Sequence, residues 1–230
     1  MLGVIGGMGP AATADFFAKL IEQTPASGDD GHIPTLIVSD PRLPGRPEAI
    51  LDGGRSPLPA LLAVRDKLLA AGATLLAMPC NTAHFWYEDL VRGCPVPFVS
   101  IVEACVASLA RGVAPGSPVG VVGTRATLEG RVFDRQLAAA GYPLLRPTEV
   151  ELADAILPSV RRVKEGRVVA GGELLAPAVQ ALLDRGAAAV ILACTETPLA
   201  LDAIGSPLRA RCVDSNRALA AACVARWFGR

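Results

Sequence analysis

Hydrophobic and polar positions fall in blocks along this chain. Short apolar runs that end in glycine or small polar residues alternate with longer Ala- and Leu-rich stretches carrying charges at helical spacing. The short runs read as strands buried on both faces, the longer stretches as amphipathic helices. Residues 2–6 predict a strand that breaks at Gly6-Gly7-Met8-Gly9-Pro10. A helix follows over about 11–24, with Pro10 suited to its first turn. A turn-rich loop, Gly28 to Gly31, leads to a second strand over 35–40. The stretch Pro41-Arg42-Leu43-Pro44-Gly45-Arg46-Pro47, with its three prolines and glycine, predicts an irregular loop carrying two arginines at a strand's C-terminal end. A helix over about 57–71 precedes an apolar run ending at Cys80. A further helix, a short strand over 97–100 and a helix over about 102–111 complete this half.

Ala114-Pro115-Gly116-Ser117-Pro118 is linker-like, and the pattern restarts after it. It predicts a strand over 119–124, a helix over about 126–140, a short strand at 144–146, and helices over about 150–163 and 169–185. An apolar run ending at Cys194, a strand over 211–214 and a helix over 215–227 follow. Such alternation argues for an α/β fold with mainly parallel sheets. The halves also keep register. Gly3-Val4-Ile5-Gly6 answers Gly120-Val121-Val122-Gly123. Gly72-Ala73, Cys80 and Val99-Ser100 each find a counterpart 114 positions on, at Gly186-Ala187, Cys194 and Val213-Asp214. The reading is two similar α/β lobes related by a pseudo-twofold, residues 1–99 with 208–230 and residues 100–207. That relation sets both cysteines on opposite walls of one cleft. Chance similarity among Gly/Ala/Val-rich strands is the alternative.

Composition narrows the picture. The 230 residues allow one large domain or two, and 51% hydrophobic against 19% charged residues argues for a filled core and against disorder. Equal numbers of acidic and basic residues, with no basic stripe, argue against a nucleic-acid partner. The first residues lack the features of a signal peptide, and no window predicts a membrane span. Six cysteines include no C-x-x-C pair and there are two histidines, so a zinc site is not expected. The thiols read as reduced, in a cytoplasmic protein. Cys105 and Cys223, in Ala-rich helical patterns, read as small core residues; Cys94 and Cys212 have no assigned role. Lysine occurs only at 19, 67 and 164, a rarity that marks each as a candidate for a specific task.

The candidate chemistry lies where the two cysteine runs end. Met78-Pro79-Cys80-Asn81-Thr82-Ala83-His84 and Ala193-Cys194-Thr195-Glu196-Thr197-Pro198 each place a sulfur between a buried strand and a helix start, the usual address of a site in an open α/β sheet. A thiol there is expected to have a lowered pKa, so that one thiolate and one thiol coexist at neutral pH. Such a pair can remove a proton from one face of a carbon and deliver one to the other. A redox disulfide is the competing use. Gly7-Met8-Gly9-Pro10-Ala11-Ala12 formally fits G-x-G-x-x-A. Asp40 lies too far on for a dinucleotide site, however, and Pro10 removes a donor. The preferred reading is a turn whose N–H groups face a substrate carboxylate or enolate oxygen.

These residues carry a resemblance. Gly6-Gly7-Met8-Gly9-Pro10, Met78 through His84, and Cys194-Thr195-Glu196 with Pro198 resemble the signatures of the aspartate/glutamate racemase family, over nearly the whole chain. The resemblance implies two flavodoxin-like lobes, an amino acid as small-molecule substrate, no pyridoxal phosphate or other cofactor, no metal, and often a homodimer. It implies that Cys80 and Cys194 are the acid/base thiols, and that Asn81, Thr82 and Thr195 bind the α-carboxylate and amino group. Met8 and Gly9 would shape the floor of the site, Thr124 and Thr127 would add donors, and Arg46 and Lys164 would bind the distal carboxylate. His84 and Glu196 either tune the neighbouring thiols or are structural. The chain departs from the family pattern at Ala193, where glycine is common, and at Gly45, where aspartate is common. The implied activity is interconversion of L- and D-aspartate, with glutamate as a further candidate. A broader-specificity amino-acid racemase, a decarboxylase or cis–trans isomerase of a small dicarboxylate, and a binding protein without turnover are the other readings.

Overall fold

A computed structural model describes residues 1–229. In chain order the first half contains β1 (Leu2–Gly6), α1 (Pro10–Gln23), β2 (Thr35–Ser39), α2 (Arg46–Leu51), α3 (Leu58–Ala70), β3 (Leu75–Ala77), α4 (Tyr87–Val91), β4 (Phe98–Val99) and α5 (Ile101–Leu109). The second contains β5 (Val119–Gly123), α6 (Arg125–Glu129), α7 (Asp134–Ala139), β6 (Leu144–Leu145), α8 (Leu157–Lys164), α9 (Val168–Asp184), β7 (Ala189–Ala193), α10 (Thr197–Ala203) and β8 (Cys212–Asp214), and α11 (Ser215–Trp227) closes the chain. The strands form two four-stranded sheets, ordered β2-β1-β3-β4 and β6-β5-β7-β8, with every pairing parallel. The fold is therefore α/β with two lobes of the same strand order. The central strands β1, β3, β5 and β7 are buried along their whole length, which explains their unbroken apolar sequences.

Two compact units divide the chain: Met1–Ala104 with Asn216–Arg230, and Cys105–Ser215. The expected return to the first lobe at residue 208 comes too early. Cys212–Asp214 pairs with β7 as an edge strand of the second sheet, and the chain returns only with α11. In the first unit α11 is fixed to α1 by a buried polar group. Lys19 Nζ lies 2.7 Å from Asp15 Oδ2, which also accepts from Asn216 Nδ2 at 2.8 Å, and Asn216 donates to the Ala12 carbonyl at 3.0 Å. The task of Lys19 is thus a structural brace. Cys105 and Cys223 are fully buried core residues.

Several predicted elements change form. The helix expected over 126–140 is two helices, because Arg131 adopts a left-handed φ of 52° between them. The helix expected over 150–163 opens with a π-helical turn, Glu151–Ile156, before α8. The arginine loop ends sooner than expected: α2 starts at Arg46, with Pro47 in its first turn. No helix among the described residues is long and apolar enough to cross a membrane.

Candidate active site

Met8, Gly9, Cys80, Asn81, Thr82, Thr124, Cys194, Thr195 and Glu196 follow the C-terminal ends of strands, the edge at which parallel α/β sheets bind ligands, while Arg46 opens α2, Thr127 lies within α6 and Lys164 ends α8. In the first unit β1 and β3 run side by side in parallel register, Val4 opposite Ala77. After β1 the chain turns at Gly7, φ 90°, where a side chain would collide with the backbone of Asp40. Thr13, in the first turns of α1, locks this turn from behind. Its Oγ1 accepts from the Gly7 N–H at 2.9 Å and donates to the Gly9 carbonyl at 3.0 Å. That corrects one expectation: the Gly7 N–H is committed to Thr13 and does not face a ligand. Met8 is buried in one apolar cluster with Ile5, Leu43, Met78 and Cys80.

Beyond β3 the Cys80 N–H donates to the Met78 carbonyl at 2.8 Å, a tight turn that buries the thiol. The chain then forms a 3₁₀-helix, Thr82–Trp86, and only after it α4, in place of the single helix expected. Asn81 and Thr82 are buried beside Cys80 in sequence. His84 touches the backbone of Cys80, not its sulfur. Nε2 accepts from the Ile101 N–H at 3.0 Å, so the ring proton resides on Nδ1 and is donated to the Cys80 carbonyl at 2.8 Å. Burial pushes the His84 pKa down to about 4, and the ring stacks on Tyr87 with centroids 5.3 Å apart. A neutral histidine thus ties the end of β3 to the start of α5.

Arg46 folds back on its own loop. Its Nη1 donates to the carbonyls of Leu43 at 3.3 Å and Pro44 at 3.2 Å, while Nε is buried without a hydrogen-bond partner. The glycine at 45 leaves a space that the Glu48 carboxylate fills; a side chain there would collide with it. Helix α2 packs against the 3₁₀-helix beyond Cys80.

In the second unit β5 and β7 pair with Gly123 opposite Ala193, so Thr124 and Cys194 leave the sheet together. A Cβ on Gly123 would lie 3.1 Å from the Ala193 carbonyl oxygen, a tight approach to backbone, whereas the methyl of Ala193 would stay at ordinary contact distance. Thr124 caps α6: its Oγ1 accepts from the Thr127 N–H at 3.2 Å, and the two hydroxyls are 3.0 Å apart. Cys194 is buried, and its Sγ donates to Glu196 Oε2 at 3.0 Å. Thr195 Oγ1 donates to the same oxygen at 3.2 Å. Thr197 donates to the Cys194 carbonyl through its hydroxyl at 2.6 Å and its N–H at 3.0 Å.

A lowered thiol pKa at the second helix start is overturned. Burial, then the charge and hydrogen bond of Glu196, hold the Cys194 thiol well above its ordinary range. The positive charge of Lys164, the last residue of α8, acts in the opposite direction. Burial and the carboxylate outweigh both that cation and the helix end, because a helix of one or two turns supplies only a partial charge. Two residues that shape the site, Thr13 and Thr197, carried no assignment from the sequence. Their signal is a threonine within the first turns after a strand, where a hydroxyl satisfies local backbone groups. Among the described residues no cluster of His, Cys, Asp and Glu could hold a metal ion.

Comparison with known proteins bears on this arrangement. The family described as Asp/Glu/hydantoin racemase matches residues 5–223. The broad specificity amino-acid racemase RacX of Bacillus subtilis is 27% identical over 241 residues, covering 99% of this chain and 98% of that protein. A glutamate racemase of Acidothermus cellulolyticus is 32% identical over 147 residues, 62% of this chain and 53% of its own length. The structure of Picrophilus torridus aspartate racemase superposes with a TM-score of 0.84 at 27% identity, covering 99% of this chain and 94% of that one.

Proposed function

The chain belongs to the Asp/Glu/hydantoin racemase family, and from that premise we propose that it is an amino-acid racemase interconverting L- and D-aspartate, with glutamate as a second substrate, without a cofactor. The observation that carries this reading is the matched pair of buried cysteines, each just past a central strand of its own sheet and each followed by buried polar residues. Racemisation requires a base on one face of Cα and an acid on the other, and the two thiols are the groups assigned to those tasks.

In the proposed reaction one thiolate takes the Cα proton. The Cα–H bond breaks, an S–H bond forms, and the electron pair passes to Cα and the carboxylate. The second thiol then gives its proton to the opposite face, and its bonding pair stays on sulfur. A Cα proton is very weakly acidic, so donors aimed at the developing enolate oxygens must lower the barrier, each worth about 3 kcal/mol. Asn81, Thr82 and Thr195 are assigned to the α-carboxylate and amino group, with donors added by Thr124 and Thr127. Met8 and Gly9 are assigned to the floor. Arg46 and Lys164 are assigned to the distal carboxylate, where two cations suit a dicarboxylic amino acid.

Incubation with L-aspartate in heavy water, without added cofactor, is expected to yield D-aspartate carrying deuterium at Cα. Cys80→Ala and Cys194→Ala are each expected to abolish this, and an active single variant would sink the two-base scheme. A broader substrate range is the second reading. It is favoured by the full-length similarity to RacX and by Gly45, with Arg46 folded onto its own loop. A panel of amino acids assayed for loss of chirality separates the two. A cytoplasmic homodimer is part of the proposal, and light scattering at assay concentration checks the dimer.

A further inference from the structure

We propose that the solvent face of α1 is the surface on which a second copy of this chain docks, the two helices lying antiparallel about a twofold axis. The inference takes up the dimer of the reading above and rests on none of its chemistry. Helix α1 buries Ala12, Thr13, Phe16, Lys19 and Leu20. A surface helix ordinarily turns charged and polar residues outward from such a face. Here the exposed positions Pro10, Ala11, Ala14, Phe17, Ala18 and Ile21 form one stripe over about a third of the circumference, with no polar side chain inside it. Among the described residues six large apolar side chains are exposed, and Phe17 and Ile21 are the two that share an element, one turn apart.

Size, shape and charge all point to a second copy. The stripe bares roughly 300–400 Å² of apolar surface, the extent at which a patch on a monomer is commonly functional. That is about half of the ~800 Å² each partner gives to a standard interface, as suits an apolar core within a polar rim. Glu22 and Arg217, paired at 2.8 Å, supply part of that rim one turn beyond Ala18. The stripe also complements itself. Antiparallel overlap along its full length, Pro10 to Ile21, sets Phe17 over Ala14 of the second copy and Ile21 over Pro10. Large meets small in both pairs, and each contact occurs twice, as a twofold interface requires. The electrostatics select the antiparallel arrangement. Helix α1 has no acidic residue in its first turn, no basic residue in its last and no side-chain cap at Gly9. Its own side chains therefore leave the macrodipole uncompensated, and an antiparallel copy places the negative end of one helix beside the positive end of the other.

The test is sedimentation equilibrium of the whole protein over a dilution series. The wild type is expected to be a dimer that dissociates on dilution. Phe17→Glu, which puts a charge at the centre of the stripe, is expected to raise the dissociation constant about tenfold or more. Val169→Glu, at an exposed side chain of the second unit, is expected to leave it unchanged. Cross-linking fixes the register and serves if Phe17→Glu does not fold. A mixture of Ala14→Cys and Phe17→Cys proteins, oxidised beside wild type, is expected to give more disulfide-linked dimer than either variant alone. A wild-type monomer at every concentration, including one that adsorbs to lipid vesicles instead, overturns the proposal. So does a dimer that Phe17→Glu leaves intact, or cross-linking that is greater for each variant alone than for the mixture. None of these measurements reads turnover. A dimer formed through α1 without racemisation removes the racemase reading alone, and an active monomer removes this inference alone.

Discussion

Replacing His84 tests the claim that this histidine is a neutral structural tie beneath Cys80. In His84→Leu the Ile101 N–H and the Cys80 carbonyl lose their partners inside the first unit. A buried polar group left unsatisfied costs about 1–3 kcal/mol, so with two such groups the variant is expected to lose roughly 2–6 kcal/mol near neutral pH. The pH dependence gives the sharper test. The folded protein holds the His84 pKa at about 4, against about 6.5 for an unfolded chain. The unfolded state therefore binds the proton first as pH falls. The histidine's contribution is fully present above ~6.5 and is lost on the way down to about 4. Between pH ~7 and pH ~4.5 this amounts to about 2 kcal/mol. Urea unfolding of wild type and His84→Leu across that range should show the stability gap narrowing by that amount. Other titrating groups are common to both proteins and cancel. A gap that stays constant, or that widens toward acid, would refute the neutral tie.

Further outcomes are specific to single residues. Gly172→Ala places a methyl against the Ala200 carbonyl and Ile204. Alanine gains about 1 kcal/mol in helix propensity, but overpacking costs about 1–3 kcal/mol, so thermal unfolding should occur at lower temperature. An unchanged or raised Tm would show that α9 and α10 yield. Thr13→Val keeps the shape but leaves the Gly7 N–H and Gly9 carbonyl without the hydroxyl, which is expected to cost about 2 kcal/mol in chemical denaturation. On the racemase reading, Lys164→Met and Arg46→Gln are expected to raise the KM for aspartate about tenfold or more while changing that for alanine little. Equal effects on both substrates would remove these cations from side-chain selection.

The sequence made the repeated sheets legible because parallel strands buried on both faces leave unbroken apolar runs, and because the matches at Gly72, Cys80 and Val99 recur at a constant offset. That same register pairs Val213-Asp214 with Val99-Ser100, and so implied that residues 212–214 close the second sheet. The boundary at 208 overlooked it. Other features stayed hidden because they depend on side chains meeting through space. A Gly-rich turn looks like a set of open donors until Thr13 is seen to take one. A cysteine at a helix start looks acidic until the carboxylate two residues on is seen to point at the sulfur and not to solvent. Position along the chain fixes which groups are near, but hydrogen-bond direction and burial decide the sign of a pKa shift.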